Sequence, residues 1–452
     1  MTKAYYHVEN WDTLLKNFLN EYAVNKEPIS VNFRELVFSI TKTDRYTHFI
    51  HSYPAKLLQH IPYLFLNNTI LSQEKDIVLD PFCGTGTVLL EASLANRNAI
   101  GIDVNPLATL ISKAKTTRLD IQKLKNELAN IEAKFEIHQK SNKKYYVPKI
   151  SNIEKWYTKQ TIRKLSKIKY IVSNISNPEI KDFFLVVFSL CCKKFSLADP
   201  RISVPVAINT SKFKQHSSLH KAAIDNLKFI KKNEIYKFFI SQANKNIQRL
   251  EEFINIPQEY GNVQIINTDI KYLDPSLIKQ ESVQLILTSP PYVSAQKYIR
   301  ASSLSLQWLE LNKLSIKELD KQSVGREHFT KTMYEEIHLL GFKNIDAILT
   351  RIYKKNKLRA YITYTYLQEM QQSFQIFYNL LKNNGYFVMV IGNNTIAGLE
   401  FYTHQYLREI AEKIGFSTEL ILIDDIKSRG LMTKRNKTAS MISREYIIIF
   451  RK

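Results

Sequence analysis

Seven short apolar runs, rich in β-branched residues, recur along the chain. They are DIVLD (Asp76 to Asp80), NAIGI (from Asn98), NVQIINTDI (from Asn262), SVQLILT (from Ser282), YFVMVIG (from Tyr386), STELILIDDI (from Ser417) and REYIIIF (from Arg444). Runs this short, with little polar alternation, read as strands buried on both faces of a parallel sheet. Segments of helical spacing stand between them. His51 to Leu66 gives a turn at Pro54 and then an apolar helix; further helices are expected over VLLEASLA from Val88, from Pro106, from Tyr298, from Ser373 and from Thr403. Pro106 suits a first helical turn, and Gly385 and Gly415 read as C-terminal stops. The alternation predicts an α/β fold, a doubly wound sheet ending in a hairpin-like pair of strands. Residues 1–50 are mixed and yield no fold expectation.

The strand–helix rhythm stops between Arg118 and Tyr260, where the pattern is largely helical and very basic. That stretch holds 27 Lys+Arg against 13 Asp+Glu, so +14 of the chain's net +22. A surplus of this size fits a polyanionic partner. Lysines interleave with aromatics in KSNKKYYVPKI (from Lys140) and EKWYTKQTIRKLSKIKY (from Glu154). The mixture suits phosphate contacts plus stacking; the plain alternative is a solvated helical surface over an aromatic core. Lys143, Lys144, Lys164 and Lys167 are the expected phosphate contacts. LADPRISVPVAINTSKFK, from Leu197, is broken by prolines and reads as a loop that touches nucleic acid. Residues 312–365 look charged and irregular and form a second candidate region for target recognition.

At 452 residues the chain exceeds one average domain. Its segments divide at 1–117, 118–260 and 261–452, the last with an insertion at 293–365. The 44% apolar and 23% charged fractions are those of a globular protein. The longest apolar stretch, Phe183 to Cys192, is too short to span a bilayer, and the N-terminus lacks a signal-peptide pattern. Three cysteines give no disulfide framework; Cys191 and Cys192 read as core and Cys83 as a small filler. No CxxC or HExxH metal pattern occurs. A reducing, cytoplasmic setting is therefore expected, with no membrane partner.

Two motifs carry chemistry. DPFCGTGT, Asp80 to Thr87, sits in a strand-to-helix turn where Gly84 and Gly86 let the backbone approach a ligand. Such a ligand lies at the strand's carboxyl end, over a helix N-terminus. Asp103, ending the next strand, can accept hydrogen bonds from ribose hydroxyls. Alone, the turn is an ordinary feature of α/β domains, and its GxGxxG pattern is incomplete. The second motif is TSPPY, Thr288 to Tyr292. Two prolines end the strand there and stiffen the loop, which presents the Ser289 hydroxyl, the Pro290 carbonyl and the Tyr292 ring. A rigid loop with a packed tyrosine is the competing reading.

Together, DPFCGTGT, GIDVNP, TSPPY, the segment HSYPAKLLQHIP and INTDI resemble the amino-methyltransferases of DNA that use S-adenosylmethionine. The resemblance covers roughly half the chain and leaves out residues 118–262 and 293–365. It implies a class I methyltransferase, Rossmann-like sheet with a largely helical basic insertion. It implies that Tyr53, Pro54, Asp80, Pro81, Phe82, Gly84, Gly86, Thr87 and Asp103 hold the cofactor, with Asp269 on its adenine amino group. It further implies that Ser289, Pro290, Pro291 and Tyr292 form the catalytic loop, acting on N4 of cytosine or N6 of adenine in a base flipped from duplex DNA. The hydroxyl of Ser289 and the carbonyl of Pro290 are suitable acceptors for the amine's hydrogens. No covalent intermediate is needed, and the Pro-Cys pair of ring-carbon methyltransferases is absent. The serine of SPPY leans toward cytosine; adenine-N6 methylation, RNA amino-methylation and an inactive DNA-binding regulator are the alternatives, in that order. A restriction endonuclease acting on the same site is an expected partner. The insertion between the second and third strands departs from the family's common layouts.

Overall fold

The computed structural model describes residues 10–37, 45–53, 56–141, 143–293, 298–311, 315–426 and 443–452. Eight strands form one twisted sheet: β1 (Ile29–Ser30), β2 (Ile77–Asp80), β3 (Asn98–Ile102), β4 (Val263–Ile266), β5 (Val283–Thr288), β6 (Leu381–Gly392), and, after the small hairpin β7 (Asn394–Ile396) and β8 (Leu399–Phe401), β9 (Ser417–Asp425) and β10 (Arg444–Arg451). Their order is β1-β9-β10-β6-β5-β2-β3-β4. Strand β10 runs antiparallel to both neighbours, and the other pairings are parallel. This is a Rossmann-like, doubly wound sheet, as expected. Chain order reverses between β2 and β5, because β2 continues to β3 on one side while β5 continues to β6 on the other. Crevices for ligands form at the carboxyl ends of strands at such a switch point.

All seven expected strands are present, and two expectations about their surroundings need correction. Gly385 does not end a helix. The helix Lys357–Leu380 passes directly into β6, and Gly385 lies inside that strand. A Cβ there would come within 2.9 Å of the Lys382 carbonyl and 3.1 Å of the Gln284 carbonyl, so close strand approach is what requires glycine. The described part of 312–365, from Ser315 on, is not irregular either: it holds the helices Ile316–Gln322 and Lys343–Lys355 and the first turns of Lys357–Leu380. Gly415 does close its helix, Thr403–Ile414, with φ +124°.

The apolar residues form two cores. One surrounds the sheet. The other joins the helices Ile121–Lys140, Lys159–Ser173, Pro178–Lys194 and Ile235–Ile254 through residues such as Leu124, Leu165, Phe184 and Phe239. Leu90, Ile111 and Trp308 belong to this second core as well, although their helices Thr87–Leu94, Pro106–Thr116 and Tyr298–Leu309 flank the site end of the sheet. Cys191 and Cys192 are buried in it, as expected. A short 3-10 turn, Tyr46–Phe49, straps the two cores together. Glu91 accepts from Arg45 at 2.9 Å and pairs with His48 at 2.7 Å; Asn246 and Arg249 donate to the Ile50 and Phe49 carbonyls, both at 2.9 Å. Among the described residues no helix is long and apolar enough to cross a membrane.

The expected phosphate contacts divide. Lys143 and Lys144 are exposed, with Lys143 resting over the Tyr170 ring at 5.0 Å. Lys164 instead donates to the Asn233 carbonyl at 2.5 Å, and Lys167, 3% exposed, donates to the carbonyls of His138 and Ser141. These two ammonium groups stitch helices together. Lys167→Ala is expected to cost about 1–3 kcal/mol, since it removes charged hydrogen bonds to two partly buried carbonyls. Lys143→Ala should stay within about 0.5 kcal/mol of the parent. Urea unfolding of the pair checks this; equal midpoints would show that the Lys167 hydrogen bonds contribute nothing.

Candidate active site

Both motifs stand at the carboxyl ends of neighbouring strands, since β2 pairs with β5 through Val78–Leu285 and Leu79–Ile286. Directly beyond this pairing, the Thr288 hydroxyl donates to Asp80 Oδ1 at 2.6 Å. The same oxygen accepts the Phe82 N–H at 3.2 Å. Burial pushes the Asp80 carboxyl up to about 7, against those two hydrogen bonds; the nearby Asp103 charge adds to the rise.

The glycine turn leaves β2 and enters the helix Thr87–Leu94. Its backbone is fastened at three points: the Cys83 N–H donates to the Ile102 carbonyl at 2.9 Å, the Gly86 N–H to the Cys83 carbonyl at 2.7 Å, and the Gly84 N–H to Asp103 Oδ2 at 2.9 Å. Gly84 and Gly86 both take left-handed angles, φ +49° and +70°, which glycine adopts without a Cβ penalty. At Gly86 a Cβ would also meet Ser112 Oγ at 2.9 Å, whereas at Gly84 it would find nothing within 4 Å. Asp103 is held from both sides, its Oδ1 accepting the Asn105 N–H at 2.8 Å. Burial raises its carboxyl to about 6, opposed by the two backbone donors. Asn105 in turn donates to the Tyr53 hydroxyl at 2.8 Å and to Ser302 at 3.2 Å.

The TSPPY loop closes the opposite wall. Tyr292 packs on the sheet core and donates its hydroxyl to Glu445 on β10 at 2.8 Å. Burial raises the Glu445 carboxyl, against the favourable contacts from Tyr292 and Arg34. A cleft of about 230 Å³ lies between the walls. It brings together Tyr53, Asp80, Pro81, Phe82, Gly84, Thr87, Asp103, Asp269, Ser289, Pro291 and Tyr292. Two of the expected site residues do not line it: a Cβ on Gly86 would face Ser112, and Pro290 is buried. Pro54 lies outside the described residues.

Asp269 does not end a strand. It follows β4 by three residues and caps the 3-10 turn Ile270–Tyr272, accepting the Lys271 N–H at 2.9 Å. Its Oδ2 is buried and accepts no hydrogen bond, with the Lys271 ammonium 3.5 Å away. Sequence reasoning missed Lys56, Asn105, Ser323, Val324 and Glu445 on the cleft wall. Asn105 had a readable signal, standing directly before the helix-opening Pro106. Glu445 had none: it lies in the last strand, far along the chain from either motif. Among the described residues no cluster of His, Cys, Asp or Glu could hold a metal ion.

The chain resembles known proteins along nearly its whole length. Residues 9–114, which include the glycine turn, match the N6/N4 methyltransferase family model described as DNA methylase. The type II methyltransferase M.MvaI of Kocuria varians is 25% identical over 440 residues, covering 93% of this chain and 94% of its own. The type II methyltransferase M.MjaII of Methanocaldococcus jannaschii is 24% identical, covering 67% and 71% of the two chains. M.BsoBI of Geobacillus stearothermophilus, also a type II methyltransferase, is 22% identical over 89% and 82%. The Rossmann-like sheet, the meeting of the glycine turn and TSPPY loop at its switch point, and these likenesses together support an amino-methyltransferase of the N4/N6 family.

Proposed function

We propose that the protein transfers a methyl group from S-adenosylmethionine to the exocyclic amine of a base flipped out of duplex DNA, with cytosine N4 ahead of adenine N6. The single observation that carries this reading is the meeting of the glycine turn and the TSPPY loop on one cleft. The likeness to three type II methyltransferases supports DNA as the substrate and a restriction-modification setting, in which an endonuclease of the same specificity is the expected partner. In this reading the helical region 118–260 and the insertion 293–365 engage the target, while 1–117 and the rest of 261–452 form the methyltransferase unit.

The residues present fit the cofactor. Gly84 leaves open space beside the turn. Asp103, with each oxygen taking one backbone donor, keeps lone pairs for ribose hydroxyls. Asp269 offers a buried carboxylate oxygen without a hydrogen bond, suited to an adenine amino group. Tyr53, Pro81, Phe82 and Thr87 supply the apolar and polar walls. The cofactor's sulfonium supplies an electrophilic methyl with its own leaving group.

The chain's remaining task is positioning. The amine nitrogen of a base is a poor nucleophile because its lone pair is delocalised into the ring. The Ser289 hydroxyl, on the cleft wall, accepts one of its hydrogens; the Pro290 carbonyl, on the same loop although its residue is buried away from the cleft, accepts the other, and together they turn the lone pair toward the methyl group. Pro291 fixes the loop, and the Tyr292 ring stacks on the base. Serine at this position carries no charge, so the motif can orient a neutral amine without taking its proton in the ground state.

Cofactor binding should disappear in Gly84→Leu, whose side chain would fill the approach to the turn. Wild-type affinity should weaken as pH falls through about 6, because Asp103 accepts well only as the carboxylate and burial has raised it to that value. Calorimetry across pH 5 to 8 reads both effects. Unchanged affinity in folded Gly84→Leu would move the cofactor elsewhere. Methyl transfer from labelled cofactor to duplex DNA tests the loop. Ser289→Ala should lower turnover with cofactor and DNA binding nearly unchanged. Tyr292→Ala should lose about 1–3 kcal/mol of base capture, and Tyr292→Phe should be far milder, losing only the hydrogen bond to Glu445. Wild-type rates in both alanine variants would sink the assignment of this loop to catalysis.

A further inference from the structure

A second cavity, of about 300 Å³, lies outside the catalytic cleft. Three parts of the chain build it: the segment around Asn152, Lys155 and Trp156, the proline-broken loop at Val204 and Pro205, and one face of the helix Tyr298–Leu309. That face is Arg300, Ser303, Leu304 and Gln307, the i, i+3, i+4, i+7 spacing of one side of a helix. Two cations enter the cavity, Lys155 and Arg300, and no carboxylate lines it. Among the described residues the Arg300 guanidinium forms no ion pair. Lys155 is exposed and sits 5.2 Å from the centre of the half-buried Trp156 indole.

The position of this helix gives the cavity its meaning. Tyr298 and Ile299, in its first turn, line the catalytic cleft. Ser302 is tied to Asn105 beside the cofactor wall. From Tyr298 to Gln307 the helix advances about 14 Å at 1.5 Å per residue. That distance is roughly four nucleotide steps of a stacked strand.

We propose that the second cavity grips the DNA backbone a few nucleotides from the target base. Lys155 and Arg300 each neutralise one phosphate, and Trp156 covers the adjoining sugar or base. The proposal rests on the reading of the chain as a DNA methyltransferase and adds where the strand leaves the cleft. Contacts of this kind fix the register of the duplex without reading its sequence. A rigid helix shared by the two cavities would then set the distance between the held phosphates and the flipped base.

The test uses the full chain and a duplex that the wild-type protein methylates. Binding is titrated against salt for the wild type, for Lys155→Met/Arg300→Met and for Arg300→Lys. Each lost phosphate contact should flatten the log–log salt slope by about 0.9, so the double variant should lose about 1.8. Its KM for DNA should rise several-fold while cofactor affinity and melting temperature stay at wild-type values. Arg300→Lys should keep the slope, since the charge remains. A double variant with wild-type slope and KM, measured beside an active wild type, would overturn the second cavity alone. A wild-type protein that binds cofactor and methylates no DNA would instead overturn the functional reading, before any variant is made.

Discussion

The site depends on one hydrogen bond placed across a strand pairing, from the Thr288 hydroxyl to Asp80. Parallel pairing of β2 and β5 brings the two motifs side by side although about two hundred residues separate them in the chain. The hydrogen bond then fixes the last residue before Ser289 to the first residue of the glycine turn. It lies in a buried setting, where a neutral donor facing a carboxyl is worth more than in water and a missing partner costs more. Burial also lifts Asp80 toward neutrality, so the pair does not require a full charge to be kept in the sheet. Everything the cleft does is referred to this junction: one wall hangs from β2, the other from β5.

The sheet was legible because its strands are short, apolar and sharply ended, and because most turns carry a proline or a glycine at the expected place. Failures came where these signals were missing. Gly385 looked like a helix stop because it follows a helical stretch, yet helix and strand join at Leu380–Leu381 with no turn residue between them. The helix Lys343–Lys355 was hidden by its charged face, although Ile345, Ile348, Leu349 and Ile352 keep the spacing of a buried stripe. Strand β1 has two residues and could not announce itself. In the cleft, the residues inside the motifs were readable, while Glu445 and Val324 arrive by tertiary folding alone.

Charge in the helical region carries two meanings that composition cannot separate. A lysine whose ammonium reaches backbone carbonyls at a helix end, as Lys164 and Lys167 do, acts as a structural cap. Aromatics interleaved with lysines in the same stretch partly pack edge to face on each other, the rings of His138, Tyr145 and Tyr170 lying 5.2 to 5.5 Å apart. Only the remainder of the surplus faces outward and is available to a polyanion. The excess of Lys over Asp and Glu is therefore an upper bound on the electrostatic footprint.

The second core has a further consequence, for how such a chain can change. Leu90 and Ile111, on the two helices that follow the glycine turn and Asp103, are buried against the insertion rather than against the sheet. Excising residues 118–260 would not release a smaller stable unit; it would bare apolar flanks of the helices that follow the glycine turn and Asp103, at about 25 cal/mol for each Å² exposed. Nor could the insertion be exchanged for another of different shape without recutting those flanks. The helical region and the sheet unit are joined here by shared packing, so the region tolerates substitutions on its surface far more readily than replacement as a whole.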